Sequence, residues 1–312
     1  MAVVVSDISP NSLEVKDQVC RYYQIAGITV AVSSDVPITD MTFNEKFKHF
    51  QVATAGDDVA HLHHRFSLPA RATAPDGVKV YEKQPWVIYR REDSWAYQGI
   101  MPNGDPRLFC YAEFNFDHTQ GVIYHPDDAL FLAGNGHALS KFPTDQIWLA
   151  RLIAHRQACF LHSAGMVIQG QGVLFLGHSS AGKSTTVTML HDQGELLCDD
   201  RIIVRHWPDG FRIHGTWSHG DVPDVSAASA PLRGLFFLEQ SAQNQLLPIP
   251  DPNEVLHRLL FMVIKPVVSD EWWEKNLLLL GKLIHAVPAY RLQLDKSGKV
   301  VDLMQDFCAA LV

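Results

Sequence analysis

Residues 177–184 read GHSSAGKS and fit G-x-x-x-x-G-K-[ST], a pattern in which a glycine loop can hold phosphate groups. Gly177 and Gly182 can take backbone conformations closed to other residues, so successive N–H groups converge on phosphate oxygens. Lys183 is expected to reach the outer phosphates, and the Ser184 hydroxyl is expected to ligate Mg²⁺. The pattern predicts a nucleotide site, and the alternative is a glycine-rich turn before an ordinary helix. The predicted nucleotide contacts are Gly177, Ser179, Ser180, Ala181, Gly182, Lys183, Ser184 and Thr185.

The residues on either side of this loop predict the elements that would hold it. Residues 173–176, VLFL, are a short apolar run typical of a buried strand, and residues 185–190, TTVTML, can open a helix. The N-terminus of a helix adds positive potential where phosphates would lie. Gly194 is predicted to end that helix. Strand, glycine loop and helix therefore follow each other in the order that phosphate binding requires.

Two adjacent carboxylates follow the predicted helix. Asp199 and Asp200 come directly after the apolar approach at residues 195–198, ELLC. We assign Asp199 as the base that accepts a proton from an attacking hydroxyl, and Asp200 as a Mg²⁺ ligand. Adjacent strand residues point to opposite faces, so both side chains reach one site only if the strand ends or bends here. The alternative is a solvated acidic turn.

GHSSAGKS and the later GELLCDD resemble HPr kinase/phosphorylase and the bacterial kinases similar to it, which share a core with phosphoenolpyruvate carboxykinase. The resemblance covers about residues 150 to 240 and implies an α/β kinase core that uses ATP or GTP with Mg²⁺. That family has a histidine on the strand before the loop, and His162 in LHSAG matches its place. The match implies a role for His162 near the phosphates, as a donor or as an orienting group. A structural core histidine is the alternative.

Two departures from HPr kinase itself are visible. Thr185 stands where that enzyme has an acidic residue, and the chain has no counterpart of its Pro-Gly-Arg-Asn loop. HPr as the substrate and the reverse phosphorolysis are therefore in doubt. The chain is more similar to the HPr-kinase-like proteins found beside peptide-maturation genes, some of which phosphorylate a serine of a precursor peptide.

Composition limits the classes of partner. The 312 residues are 47% hydrophobic and 19% charged, as in a globular protein. A formal net charge of −8 argues against nucleic acid or an anionic membrane as the partner. There is no apolar run near the ~18 residues of a membrane span and no signal segment. Five cysteines without a C-x-x-C pair indicate reduced thiols and a cytoplasmic protein.

Residues 1–145 predict a β-rich N-terminal domain for substrate selection or dimerisation. Its alternating segments predict a sheet with one packed and one solvated face. His61, His63 and His64 suggest a metal site, but no further ligand pattern completes it, so structural roles are favoured. Strands are predicted at 28–32, 59–66, 78–81, 86–90, 94–97, 108–114 and 122–124.

Residues 146–312 predict the catalytic domain, an α/β P-loop kinase core of the HPr kinase/phosphoenolpyruvate carboxykinase type. Thr144 is a plausible cap for its first helix. The loop at 215–220 is either a surface loop or a substrate loop. Arg233 either faces the phosphates or is a solvated or paired surface residue. Helices are predicted at 146–154, 254–261, 272–284 and 300–311, strands at 232–239 and 289–294, and a hairpin around 208–210.

The sequence thus predicts a nucleotide- and Mg²⁺-dependent kinase that transfers a γ-phosphoryl group to a hydroxyl, chiefly the serine of a peptide or protein. Its assigned catalytic residues are Asp199, His162 and Lys183, and its metal ligands are Ser184 and Asp200. The alternatives are a nucleotide-binding or nucleotide-hydrolysing regulatory protein and a small-molecule kinase. The choice of ATP or GTP stays open, as does a homo-oligomeric state.

Overall fold

The computed structural model describes residues 20–142, 145–265 and 269–311. In this part of the chain the fold is mixed α/β, with two large sheets and few helices. The helices are α1 (Ala129–Ala133), α2 (Gln146–Ala154), α3 (Lys183–Met189), α4 (Pro252–Met262), α5 (Asp270–Ala286) and α6 (Val300–Ala309), with 3-10 turns at Glu45–Phe50, Ala70–Ala72 and His191–Gln193.

The first sheet contains nine strands from the N-terminal part of the chain. They are β1 (Arg21–Ile25), β2 (Ile28–Ser34), β3 (Gln51–Val52), β4 (Val59–Arg65), β5 (Val78–Lys83), β6 (Trp86–Arg90), β7 (Ser94–Ile100), β8 (Leu108–Asn115) and β9 (Gln120–Tyr124). Their order is β3-β1-β2-β4-β9-β8-β7-β6-β5. Strands β5 to β9 form an antiparallel meander, whereas β4 is parallel to both β2 and β9. The strands predicted from alternation are all present.

The prediction of one solvated face is wrong for the middle of this sheet. On β7, Trp95 and Tyr97 belong to one buried cluster, and Ala96 between them belongs to another. The second face is covered by the 3-10 turn Ala70–Ala72, where the carbonyl of Ala72 accepts a hydrogen bond from Gln98 Nε2 at 2.7 Å. A coil segment that returns over a sheet leaves no periodic signal in the strands themselves, so the second covered face could not be predicted.

The second sheet contains eight strands and surrounds the glycine loop. They are β10 (Ala158–Ile168), β11 (Gln171–Leu176), β12 (Gly194–Cys198), β13 (Arg201–Trp207), β14 (Gly210–His214), β15 (Ser229–Gln240), β16 (Gln245–Pro248) and β17 (Ala289–Leu294). Strand β15 is parallel to β11 and to β17. Pairings run from β10 through β13, β14, β15 and β11 back to β10, so these five strands form a closed ring.

Helices cover both faces of this sheet at β11. Leu174 and Leu176 pack in a cluster with residues of α4 and α5, whereas Val173 and Phe175 pack in a cluster with residues of α3 and α6. A strand buried on both sides reads as an unbroken apolar run, which is why residues 173–176 were recognised as a strand.

The helices predicted from sequence are present, and α2 has the predicted bounds of 146–154. The prediction that Gly194 ends the helix after the glycine loop is wrong. Helix α3 stops at Met189, and Gly194 is the first residue of β12. A Cβ on Gly194 would lie 2.1 Å from the carbonyl oxygen of Val167 on β10, so this glycine permits close strand pairing. The predicted cap Thr144 lies outside the described residues.

Helix α2 connects the two sheets. The indole of Trp148 donates to the carbonyl of His118 at 2.9 Å, and the indole of Trp272 donates to the carbonyl of Ala150 at 3.0 Å. One buried cluster extends from Tyr97 to Trp148 and Phe160. The division into domains at residues 145 and 146 stays a prediction. None of the helices in the described ranges is long and apolar enough to cross a membrane.

Candidate active site

The glycine loop lies between the end of β11 at Leu176 and the start of α3 at Lys183. Gly182 has φ +105 and precedes the helix, a conformation that favours glycine. A Cβ on Gly177 would lie 2.5 Å from the Cβ of Ala181, so the loop closes tightly on itself. The two glycines of the motif are therefore required by the shape of the loop.

Lys183 is buried beneath this loop, with 8% of its surface exposed. Its ammonium donates to the carbonyls of Gly177 at 2.8 Å and His178 at 3.2 Å, and lies 3.0 Å from Nε2 of His162. Burial lowers the pKa of Lys183 from its ordinary value, and the carboxylates of Asp200 and Asp199 oppose that shift. The three contacts use the three donors of the ammonium, so a phosphate oxygen would replace one of them.

Asp199 is 2% exposed, and both of its oxygens accept hydrogen bonds. The Ser184 hydroxyl donates to Oδ2 at 2.9 Å, as does the backbone N–H of Val222 at 3.0 Å. The backbone N–H of Gly220 donates to Oδ1 at 2.6 Å. This carboxylate is fixed against the first turn of α3 by groups that only donate to it.

Asp200 faces a different set of partners. Its Oδ1 lies 3.1 Å from Nδ1 of His162, and its Oδ2 is paired with the guanidinium of Arg201. Burial would raise the pKa of Asp200. The hydrogen bond from His162 and the charges of Arg201 and Lys183 outweigh burial, so the pKa lies below its ordinary value. His162 therefore lies between the carboxylate of Asp200 and the ammonium of Lys183.

Both carboxylates reach one site because the chain bends at this point. β12 ends at Cys198 and β13 begins at Arg201, which leaves Asp199 and Asp200 in the bend between them. The thiol of Cys198 is buried and donates to the carbonyl of Ser218 at 2.9 Å. Cys198 therefore occupies the packing as a small buried side chain.

These side chains line a cavity of about 790 Å³. Every predicted site residue except Gly177 lines it, and Gly177 instead accepts the bond from Lys183. The remaining residues of the wall belong to no sequence motif, except that Gly220 ends the loop at 215–220 with its two alternative interpretations. They are Gly220, Asp221, Gln240, Ser241, Ala242, Leu294, Asp295 and Lys296. Ligands in α/β sheets bind beyond the carboxyl ends of the parallel strands, and this rule could have found part of the wall. Gln240 ends β15 and Leu294 ends β17, and β15 is parallel to both β17 and β11.

The donor set fits Mg²⁺. The Ser184 hydroxyl and the carboxylates of Asp199 and Asp200 supply the oxygen ligands that this ion prefers. No three His, Cys, Asp or Glu side chains in the described ranges are grouped so as to hold a metal ion. At phosphates, Mg²⁺ is usually bound through one or two carboxylates together with waters and phosphate oxygens.

Arg233 and Trp217 lie away from the cavity, whereas Gly220 of the loop at 215–220 lines it. Arg233 is exposed and donates to Gln171 Oε1 at 2.7 Å, at the end of β15 opposite the glycine loop, so the prediction that it faces the phosphates is wrong. Trp217 of the loop at 215–220 is fully buried and packs on Phe47 and Phe50.

The three histidines of β4 have separate environments. His63 lies 2.9 Å from the Ser33 hydroxyl and 3.0 Å from Asp35. His64 is hydrogen-bonded to His125 at 2.8 Å. His63 and His64 are thus both hydrogen-bonded within the first sheet and the segments beside it.

Comparison with known proteins gives one family match and a distant structural likeness. Residues 146–257 match the family described as SynChlorMet cassette protein ScmC. No curated protein matches the chain. The solved structures that are similar include the Hpr(Ser) kinase/phosphatase from Coxiella burnetii, with 14% sequence identity and a TM-score of 0.31. That match covers 48% of this chain and 88% of the other chain.

Proposed function

We propose that this chain is a Mg²⁺-dependent kinase that transfers the γ-phosphoryl group of ATP or GTP to a hydroxyl, chiefly a serine of a peptide or protein. The observation that carries the proposal is the cavity in which Lys183, Ser184, His162 and both carboxylates meet at the glycine loop. A phosphoryl donor, a metal and a proton acceptor all find suitable groups within it.

Phosphate binding would use the backbone N–H groups of the loop and the start of α3. Lys183 would exchange one of its present acceptors, the carbonyls of Gly177 and His178 or the ring of His162, for an outer phosphate oxygen. Its burial supports this role, because a desolvated ammonium interacts more strongly with an anion than an exposed one does.

The hydrogen bonds favour an exchange of the roles that the sequence suggested for the two carboxylates. Asp199 accepts from the Ser184 hydroxyl and from two backbone N–H groups and is almost fully buried, so an acceptor hydroxyl has little access to it. We therefore assign Asp199 and Ser184 to the metal. When bound, Mg²⁺ would neutralise the charge on the phosphate oxygens.

Asp200 is the better candidate for the base. It is paired with His162, whose side chain is 33% exposed, and both line the cavity. In the transfer, the acceptor oxygen forms a bond to the γ-phosphorus while the bond to the bridging oxygen of the nucleoside diphosphate breaks. The proton of the hydroxyl passes to Asp200, and His162 and Lys183 hold that carboxylate and the phosphate in position.

The test is a transfer assay with γ-labelled ATP or GTP, Mg²⁺ and a library of serine-containing peptides, with free L-serine as a small-molecule acceptor. Label on peptide supports the proposal, and label on L-serine alone indicates a small-molecule kinase. Free phosphate without transfer to any acceptor would indicate a hydrolysing regulatory protein and contradict the kinase.

A matched pair of lysine variants tests whether the nucleotide binds at the glycine loop. Lys183→Ala should weaken Mg-nucleotide binding by about tenfold or more, since it removes a charged hydrogen bond to phosphate. Lys282→Ala, which removes an exposed lysine bonded to Gln157 at 3.0 Å, should leave affinity unchanged. Calorimetry measures the affinity, and circular dichroism shows whether each variant is folded. If folded Lys183→Ala binds Mg-nucleotide as tightly as the wild type, the glycine loop is not the phosphate site.

A further inference from the structure

We propose that the nucleoside of the bound nucleotide lies over the carboxyl ends of β15 and β17, where Asp295 accepts a hydrogen bond from the exocyclic amino group of a purine. This inference rests on the proposed function and extends it to the recognition of the base.

The register of the second sheet fixes the order of groups along the cavity. Arg201 of β13 pairs with His162 of β10, and the next residue of β10, Ser163, pairs with Leu176 of β11. Leu176 pairs with Phe237 of β15, and Gln240 at the end of β15 pairs with Leu294 of β17. The catalytic groups therefore lie on one side of the glycine loop, and the ends of β15 and β17 lie on the other.

This order gives the nucleotide a direction. The γ-phosphate must face Asp200 and His162, because the phosphoryl group is transferred there. The α-phosphate and nucleoside then extend away from these groups, towards β15 and β17. The cavity of about 790 Å³ continues in that direction and is of the size that encloses small-molecule ligands. Its far wall consists of Gln240, Ser241, Ala242, Leu294, Asp295 and Lys296.

The far wall is tied to the glycine loop. Gln240 Nε2 donates to the carbonyl of Ser180 at 3.1 Å, and the backbone N–H of Ser241 donates to the carbonyl of Leu294 at 3.1 Å. These bonds join the loop to the ends of both strands. The far wall therefore has a fixed position relative to the glycine loop, where the phosphates would bind.

Asp295 is the charged acceptor of that wall. Its Oδ1 accepts from the backbone N–H of Ser297 at 2.8 Å and from the Ser297 hydroxyl at 2.5 Å. Hydrogen bonds from Ser297 and Asn244 lower its pKa to about 2, so it is an ionised carboxylate that can only accept. Adenine and guanine both offer an exocyclic amino group as a donor, and the apolar Ala242 and Leu294 lie in the same wall.

Two pairs of nucleotides test this contact, because each pair differs by one amino group. ATP is compared with purine riboside triphosphate, and GTP with ITP, by calorimetry with Mg²⁺. For whichever of ATP and GTP binds more tightly, we expect loss of the amino group to weaken binding about tenfold. Asp295→Ala should reduce that difference to about twofold. Ser297→Ala, which removes a partner of Asp295 but leaves the carboxylate, should retain it.

Inorganic tripolyphosphate separates this inference from the proposed function, since it can occupy the loop without a nucleoside. Tripolyphosphate should bind more weakly than the preferred nucleotide. If the nucleotides bind but the amino-free analogue equals its parent, or tripolyphosphate binds as tightly, the nucleoside site is refuted and the kinase proposal stands. If neither nucleotide nor tripolyphosphate binds, both fail. The wild-type comparison needs no variant, so it decides whether the amino group is recognised even if Asp295→Ala misfolds. A folded Asp295→Ala that keeps the full difference would refute Asp295 as the acceptor.

Discussion

At the scale of single residues, two neighbouring carboxylates have unlike environments. Asp199 accepts hydrogen bonds from the Ser184 hydroxyl and two backbone N–H groups, all of them neutral donors. Asp200 instead contacts the side chains of His162 and Arg201. The sequence located both residues because an acidic pair after an apolar strand is unusual. Their separate partners depend on β10 and on the loop that contains Gly220, and neither is visible in the local sequence.

The difference predicts distinct defects for two isosteric variants. Asp199→Asn should weaken Mg²⁺-dependent nucleotide binding and be partly relieved by excess Mg²⁺, because it removes a charge from the metal site. Asp200→Asn should reduce phosphoryl transfer about a hundredfold or more with nearly normal nucleotide affinity, because it removes the base. Calorimetry over a range of Mg²⁺ concentrations and a transfer assay measure the two effects.

An exposed aspartate provides the control for this pair. Asp192 lies on the 3-10 turn after α3, and its side chain is 93% exposed. Asp192→Asn should therefore change neither the nucleotide affinity nor the rate of phosphoryl transfer. If the two defects appear in the opposite variants, the order first assigned from the sequence is right. If neither variant slows transfer, the pair is not catalytic and the kinase proposal fails.

At the scale of elements, the position of the carboxylates depends on close backbone packing. A Cβ on Gly194 would lie 2.1 Å from the carbonyl oxygen of Val167, where β12 meets β10. A Cβ on Gly215 would lie 1.8 Å from the carbonyl oxygen of Ser226, beside the segment whose N–H groups bind Asp199. Backbone atoms cannot rotate aside as a flexible side chain can, so these contacts fix the bend between β12 and β13.

We therefore expect Gly194→Ala to lower the free energy of unfolding by about 1–3 kcal/mol, the usual cost of overpacking. Gly281→Ala is the matched control, since Gly281 lies inside α5 with no atom within 4 Å of the added Cβ. That change should raise stability by roughly 0.5–1 kcal/mol through helix propensity. Urea unfolding measures both. Equal effects of the two substitutions would show that the contact with Val167 does not constrain β12.

The elements that the sequence predicted are those with a local signal. The run at residues 173–176 is apolar because both faces of β11 are covered, and α2 is an apolar segment that is buried from Ile147 to Ala154. Gly194 and Arg233 were misjudged for a shared reason. The role of Gly194 depends on the pairing of β12 with β10, which is distant in the sequence. The end of β15 that lies near the glycine loop likewise depends on its pairing with β11.

At the scale of the whole molecule, buried and half-buried polar contacts join the two sheets. Asp145 accepts from the indole of Trp217 at 3.0 Å and from the backbone N–H groups of Leu139 and Ser140. Arg156 forms two hydrogen bonds with Asp58, at 2.6 and 2.7 Å. Substrate selection or dimerisation by the N-terminal part stays a prediction.

Buried histidines on both sheets make the stability of the whole molecule sensitive to acid. Burial lowers the pKa of His125 to about 4, assisted by the charge of Lys141, and lowers the pKa of His214 to about 4, assisted by Arg205 and Arg212. The unfolded chain binds a proton at each histidine near its ordinary pKa of about 6.5, whereas the folded chain does so only near 4. The unfolded state therefore binds more protons between these values, and stability falls as the pH is lowered through this window.

His214→Gln tests the contribution of one of these histidines. The indole of Trp207 donates to Nε2 of His214 at 3.1 Å, and a glutamine oxygen can accept that bond without titrating. Each shift implies a loss of about 2 kcal/mol of unfolding free energy between pH 7.5 and pH 5. His214→Gln should remove about that amount from the pH dependence measured by urea unfolding.

His191→Gln is the control, because the side chain of His191 is 69% exposed. This change should leave the pH dependence of the unfolding free energy as it is in the wild type. Parallel curves for wild type and His214→Gln would mean that His214 is not held neutral by the fold.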